Sequence, residues 1–95
     1  MQLLVRFKSF GPIRRILGQQ MIELNVPEDS TVLQVIEQVI ELGGEPLRNM
    51  VIENGKIDGN LIIMLNKRDV TTLGGVDVIV KAGDELALLP HVQGG

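Results

Sequence analysis

Gly83-Asp84-Glu85-Leu86-Ala87-Leu88-Leu89-Pro90-His91-Val92-Gln93-Gly94-Gly95 forms the last stretch of the chain, and its reading decides the fold. Lys81 to Asp84 is a turn, Glu85 to Leu89 is an apolar strand, and a short polar tail then runs into two glycines. A final strand aims whatever follows it away from the domain. Gly-Gly has no Cβ atoms and few excluded φ/ψ values, so it threads as bare extended backbone into a channel too narrow for any other dipeptide. A carboxylate on Gly95 is ionised at neutral pH and is an oxygen nucleophile. Glycines also collect at chain ends because ends tolerate change, so the dipeptide alone decides nothing. The strand leading into it is what gives it weight.

Upstream, Leu3, Val5 and Phe7 alternate with Leu4, Arg6 and Lys8, the period of a half-buried strand. Ser9 to Pro12 break it, and Ile13, Ile16 and Leu17 fit one face of a short helix that stops at Gly18. Ile22, Leu24 and Val26 give a second strand that ends at Pro27. Thr31-Val32-Leu33-Gln34 then fits a capping box. Val32, Val35, Ile36, Val39 and Ile40 follow at helical spacing as one apolar stripe, with Gly43-Gly44 as its stop. Pro46 to Met50 is read as a helical turn, and Asn54-Gly55 between Ile52 and Ile57 as a hairpin. Leu61 to Leu65 is five apolar residues in a row, read as a strand buried on both faces. A short strand is expected around Val70, and a strand or extended segment over 76–80.

That order predicts α+β architecture, a mixed sheet with the main helix packed across one face. The first and last strands are expected side by side at its centre. On the last strand, Leu86 and Leu88 share the core face, and Ala87 and Leu89 share the other, with Leu89 in an exposed docking patch.

Ninety-five residues make one domain, expected over 1–90 with a tail over 91–95. With 44% hydrophobic and 22% charged residues it has the composition of a soluble globular chain. A net charge of −3 argues against a nucleic-acid partner, and no apolar run is long enough to span a membrane. The first residues carry Arg6 and Lys8 within the apolar stretch and are not expected to be a signal peptide, so a cytoplasmic protein is expected. No cysteine is present, which removes disulfides and thiolate chemistry, and one histidine, His91, makes no metal site alone. Gly43-Gly44 and Gly74-Gly75 lack the context of phosphate loops. Arg14-Arg15 reads as a solvated helix face. Asp84 and Glu85 are strand neighbours on opposite faces and cannot form a dyad.

The order of elements, the Pro27-Glu28-Asp29-Ser30-Thr31-Val32 entry to the helix, and the Gly83 to Pro90 stretch followed by Gly94-Gly95 resemble the MoaD/ThiS group of β-grasp proteins. These are the ubiquitin-like sulfur carriers. The stretch from Gly59 to Asn66, with Leu73-Gly74-Gly75-Val76-Asp77 behind it, is similar to ubiquitin-related modifier proteins and archaeal small modifier proteins. The resemblance covers essentially the whole chain. It implies a ubiquitin-like β-grasp fold, a mixed sheet of about five strands under one main helix.

It also implies that Gly95 is the working residue, adenylated and then converted to a thiocarboxylate or joined to a lysine. Gly94 would thread the tail, and Leu89, Pro90 and Val92 would dock a partner. The implied partners are an adenylating activating enzyme, which uses ATP and magnesium, and a sulfur donor enzyme. The large subunit of molybdopterin synthase or the lysines of target proteins would follow. The chain itself would need no cofactor or metal and would be a carrier rather than an enzyme.

Two features depart from the pattern. Leu88-Leu89-Pro90-His91 stands where many synthase-type relatives have bulky or aromatic residues before Pro-Pro, and Phe7 and Phe10 are the only aromatics. Residues 45–60 are longer than in a minimal thiamin-type carrier. A modifier-like carrier, a molybdopterin-synthase small subunit and a β-grasp interaction domain that is never activated therefore stay open at this point.

Overall fold

The computed structural model describes residues 1–90. Strand β1 (Gln2–Lys8) runs antiparallel to β2 (Met21–Pro27), with Val5 opposite Leu24 and Phe7 opposite Ile22. Between them lies helix α1 (Gly11–Leu17), which carries Pro12 in its first turn, where a missing N–H costs nothing. It ends at Gly18, whose φ of 76° is the left-handed cap that glycine takes without strain.

The predicted capping box closes the start of α2 (Val32–Val51). The Thr31 hydroxyl accepts from the Gln34 N–H, and the Gln34 side chain accepts from the Thr31 N–H. Two more first-turn amides are satisfied by the chain that returns past the helix start. Val32 N–H donates to the Val78 carbonyl and Leu33 N–H to that of Val76.

The apolar stripe read from the sequence is the buried face. Val32, Val35, Ile36, Val39 and Ile40 are all buried. Gly43-Gly44 does not end the helix. It breaks it at Gly44, at φ 72° and ψ −158°, and a second helical piece resumes with Pro46 in its first turn. Gly43 is required by close packing. A Cβ there would stand 2.6 Å from the Cβ of Leu47, itself fully buried. Gly43→Ala is therefore expected to cost about 1–3 kcal/mol, the usual range for overpacking a filled core. A melting curve matching the parent's would show that the kink relaxes freely.

Asn54 and Gly55, at φ 54° and 77°, turn the hairpin of β3 (Ile52–Glu53) and β4 (Lys56–Ile57), as expected of this dipeptide. Strand β5 (Leu61–Leu65) corrects one expectation. Ile63 and Leu65 are buried, but Ile62 and Met64 are only half-buried, because among the described residues no second layer covers that side of the sheet. Strand β6 is Arg68–Asp69, and Val70–Thr72 is a 3-10 turn rather than a strand. The Asp69 carboxylate starts that turn by accepting from the Thr71 N–H and hydroxyl, which also hold its pKa below the usual carboxylate value. The 76–80 segment is not the expected strand: Val76 and Asp77 lie in a turn that Val78 N–H closes on the Gly75 carbonyl, and a single bridge then joins Ile79 to Thr31.

Strand β7 (Glu85–Pro90) completes a five-stranded mixed sheet in the order β2-β1-β7-β5-β6. It lies parallel to β1 and antiparallel to β5, so the first and last strands are neighbours at the centre. One face packs on α2, and Phe7, Leu86, Leu88, Ile36 and Leu47 fill the space between. No helix covers the other face among the described residues. Among the described residues, no helix is long and apolar enough to cross a membrane.

Candidate functional site

Strand parity assembles the site on the open face. In β7, Leu86 and Leu88 point to the core, which leaves Glu85, Ala87 and Leu89 on the outer side. Ala87 lies between Lys8 of β1 and Met64 of β5, and Leu89 lies opposite Ile62. Ala87 and Leu89, with Met64 and Phe10, line a groove of about 120 Å³ edged by Lys8, Lys67 and Glu85. Leu89 is half-buried there, a correction to its expected exposure.

Phe10 is the residue that the sequence reading missed. It sits in the β1–α1 loop with extended backbone, and two cations flank its ring. Lys8 Nζ lies 5.4 Å and Arg14 Cζ 5.9 Å from the ring centroid, both within cation–π range. The loop is firmly held. Arg14 Nε and a terminal nitrogen donate to the Ser9 carbonyl at 3.3 and 3.2 Å. Buried Ser9 donates its N–H to the Gln20 carbonyl at 2.8 Å and its hydroxyl to the Gln19 carbonyl. The aromatic that the last strand lacks thus enters the same groove from another element. Its signal in the sequence was parity, since residues 4, 6, 8 and 10 continue one face of β1.

The far end of the groove is set by the β5–β6 turn. Asn66 and Lys67 both have positive φ, 52° and 68°, the pair of left-handed residues that closes a tight hairpin. The Asn66 side chain donates to Asp84 and accepts from the Glu85 N–H, both at 3.0 Å. That clasp fixes Lys67 beside the start of β7. Among the described residues the only ion pair joins the Met1 amino group to Glu28, at 3.8 Å, so Lys8, Lys67 and Glu85 present unneutralised charges at the groove.

Pro90 ends β7 opposite Leu61. Val92, Gly94 and Gly95, as well as His91, lie outside the described residues. Among the described residues, no three His, Cys, Asp or Glu side chains are grouped to hold a metal ion. What the arrangement offers is a docking face beside the exit of the chain.

Leu89→Asp tests that face. An apolar anchor at the centre of an interface commonly contributes about 2 kcal/mol or more, so binding to the activating enzyme that the resemblance implies is expected to weaken at least about 30-fold. Folding is expected to survive, since Leu89 is on the uncovered side, whereas Leu88→Asp places a charge in the core and is expected to unfold the domain. The reverse outcome in paired melting curves would invert the strand's faces.

The family model of the ThiS family matches residues 8–95. Small archaeal modifier protein 3 of Haloferax volcanii is 32% identical over 95 residues, the whole of both chains. The solution structure of small archaeal modifier protein 1 from Methanosarcina acetivorans superposes with a TM-score of 0.86 at 24% identity, covering 100% of this chain and 99% of that one, which shows the shared ubiquitin-like β-grasp fold. A chain of the Amycolatopsis orientalis BexX/CysO complex gives a TM-score of 0.74 at 26% identity, over 96% and 99% of the two chains.

Proposed function

The chain belongs to the ThiS family of small ubiquitin-like sulfur carriers and protein modifiers, and we propose that Gly95 carries its chemistry. One observation carries this reading. Strand β7, the middle strand of the sheet, ends at Pro90 beside the apolar groove, five residues before Gly95. A partner that grips the groove thereby holds the root of the tail in a fixed position. Two glycines at its tip leave the backbone slim enough to enter a narrow active site.

The chemistry follows from a carboxylate and ATP. The Gly95 carboxylate oxygen attacks the α-phosphate, a new P–O bond forms, and pyrophosphate leaves with the electrons of the broken P–O bond. Hydrosulfide then attacks the acyl carbon, the C–O bond to AMP breaks with AMP leaving, and loss of the S–H proton gives a thiocarboxylate. When a lysine amine attacks instead, the product is an amide and the chain becomes a protein modifier. The activating enzyme supplies ATP, magnesium and catalytic groups. The chain contributes position and a reactive end, and acts as carrier rather than enzyme, in the cytoplasm where ATP is at hand. The full-length match to a small archaeal modifier protein favours the modifier-like branch over the molybdopterin-synthase small subunit.

The test is the intact mass after incubation with the adenylating enzyme of the same genome, ATP and sulfide. A gain equal to the replacement of one oxygen by sulfur, located on Gly95 by fragmentation, is expected. An unchanged mass alongside full binding to that enzyme would leave a β-grasp interaction domain instead.

A further inference from the structure

Lys67 is held in a backbone conformation that its side chain does not favour. Among the described residues, every other position with positive φ is Gly, Asn or Asp, the residues that visit the left-handed region most readily. Lys67 stands there at φ 68°. The chain supplies its own comparison, because Asn54-Gly55 and Asn66-Lys67 both close two-residue hairpins. The first has glycine in second place, as such a turn prefers, and the second has lysine there at a cost. Asn66 enforces that conformation. Its N–H donates to the Glu85 carbonyl at 2.8 Å, and its side chain bonds both Asp84 and the Glu85 N–H. Strain held in place by its surroundings clusters at functional sites.

The side chain thereby gains a fixed place, exposed at the edge of the Phe10–Leu89 groove. The carboxylates around it have other claims. Asp84 accepts from Asn66 and from the Lys81 N–H, and Asp69, opposite Met64, accepts from Thr71. Glu85 and Glu23 both stand level with Arg6, one on either side of β1. The margin of the groove therefore holds both signs of charge, and among the described residues Lys67 has no ion-pair partner.

We propose that Lys67 is a recognition residue of the docking face, its ammonium meeting a carboxylate of the activating enzyme; this rests on the reading that such an enzyme grips the groove. From Glu85, beside Lys67, to Pro90 the strand rises about 16 Å. The charged contact and the apolar contact at Leu89 are thus separate points. Two separate points fix the direction of β7 against a partner, where one leaves it free to pivot. A rim charge acts mainly on the rate of association and its salt dependence, and the buried centre acts on dissociation.

The experiment measures association and dissociation of the full chain with the adenylating enzyme of the same genome, immobilised for surface plasmon resonance, beside melting curves and ATP–pyrophosphate exchange. Lys67→Gly is expected to raise the melting temperature by about 4 °C, since the relaxed turn outweighs the entropy that glycine loses on folding. It should nevertheless slow association about threefold, with dissociation little changed. Lys67→Gln should slow association equally without the gain in stability, Lys67→Glu should slow it about tenfold, and Lys67→Arg should keep the parent's rate. Added salt should slow the parent more than Lys67→Gly. Lys56→Glu, the same charge change on the β3–β4 hairpin, should leave the rate unchanged. Parental association by the Gly, Gln and Glu variants, slowing by the Arg variant, or equal slowing by Lys56→Glu would overturn the proposal and leave the tail reading intact. A lower melting temperature for Lys67→Gly would show that the turn is unstrained and overturn it too. Binding by the parent without exchange would overturn the tail reading while the association rates still decide Lys67, and no binding at all would overturn both.

Discussion

Adding one residue after Gly95 is expected to abolish ATP–pyrophosphate exchange with the activating enzyme while leaving the melting curve unchanged. The reasoning is positional. The root of the tail is fixed at Pro90 by the pairing of β7 with β5, and in the proposed function a partner grips the groove that β7 lines. From that fixed point, an extra residue carries the carboxylate about 3.5 Å further along an extended chain. Holding reactants in attack geometry contributes about 7–11 kcal/mol to well-oriented reactions, and a misplacement of even about 1 Å loses much of it. Gly94→Ala would act through width instead of length, because in the proposed function one methyl group meets a channel that fits bare backbone. Exchange is expected to fall sharply, while stability moves by no more than about 0.5 kcal/mol, as for other surface changes. His91→Ala should be silent in both assays. Normal exchange by the extended chain, without prior trimming, would show that the reacting group is not on Gly95.

The parts of this molecule that were legible beforehand are those in which local signals agree. Thr31 and Gln34 cap a helix whose apolar stripe repeats at the right spacing, and every residue of that stripe is buried. The alternation of Val5 and Phe7, and of Leu86 and Leu88, fixed which faces meet α2. Other features depend on what lies across space. Five apolar residues over Leu61 to Leu65 read as a strand covered on both sides, but whether a second layer exists is a property of the whole fold, and among the described residues there is none. Val70 looked like strand because it is β-branched. Asp69 capping Thr71 outweighs that preference and curls the chain into a 3-10 turn. Gly43-Gly44 reads as a stop, yet Pro46 restarts the helix, so the pair makes a bend. The groove on the outer face was half legible: Leu89 follows from strand parity. Parity places Phe10 on the outer face too, but that it meets Leu89 depends on the parallel register that sets Lys8 beside Ala87, which lies across space.

Ile36→Ala is expected to be among the most damaging single changes in the chain, at about 2–5 kcal/mol. Ile36 is fully buried, at 0% exposure, in the cluster where α2 meets the sheet, and its neighbours there include Phe7, Leu24 and Leu88. Alanine is the better helix former, so propensity opposes the loss, and any destabilisation reads packing alone. The cost has two parts, the apolar surface no longer buried and the cavity left behind, and the second depends on how far the sheet can settle onto the helix. Two features resist that settling: Leu47 is wedged against Gly43 on the same helix, and the capping box pins the helix start. The upper half of the range is therefore expected. For a domain of this size each kcal/mol lowers the melting temperature by about 4–8 °C, and total stability is commonly about 5–15 kcal/mol, so the variant stands near the edge of folding. Leu42→Ala on the same helix supplies the contrast. Leu42 is 59% exposed, and its truncation should stay within about 0.5 kcal/mol of the parent. Equal melting temperatures for the two variants would remove Ile36 from the core and overturn the register of α2 on the sheet.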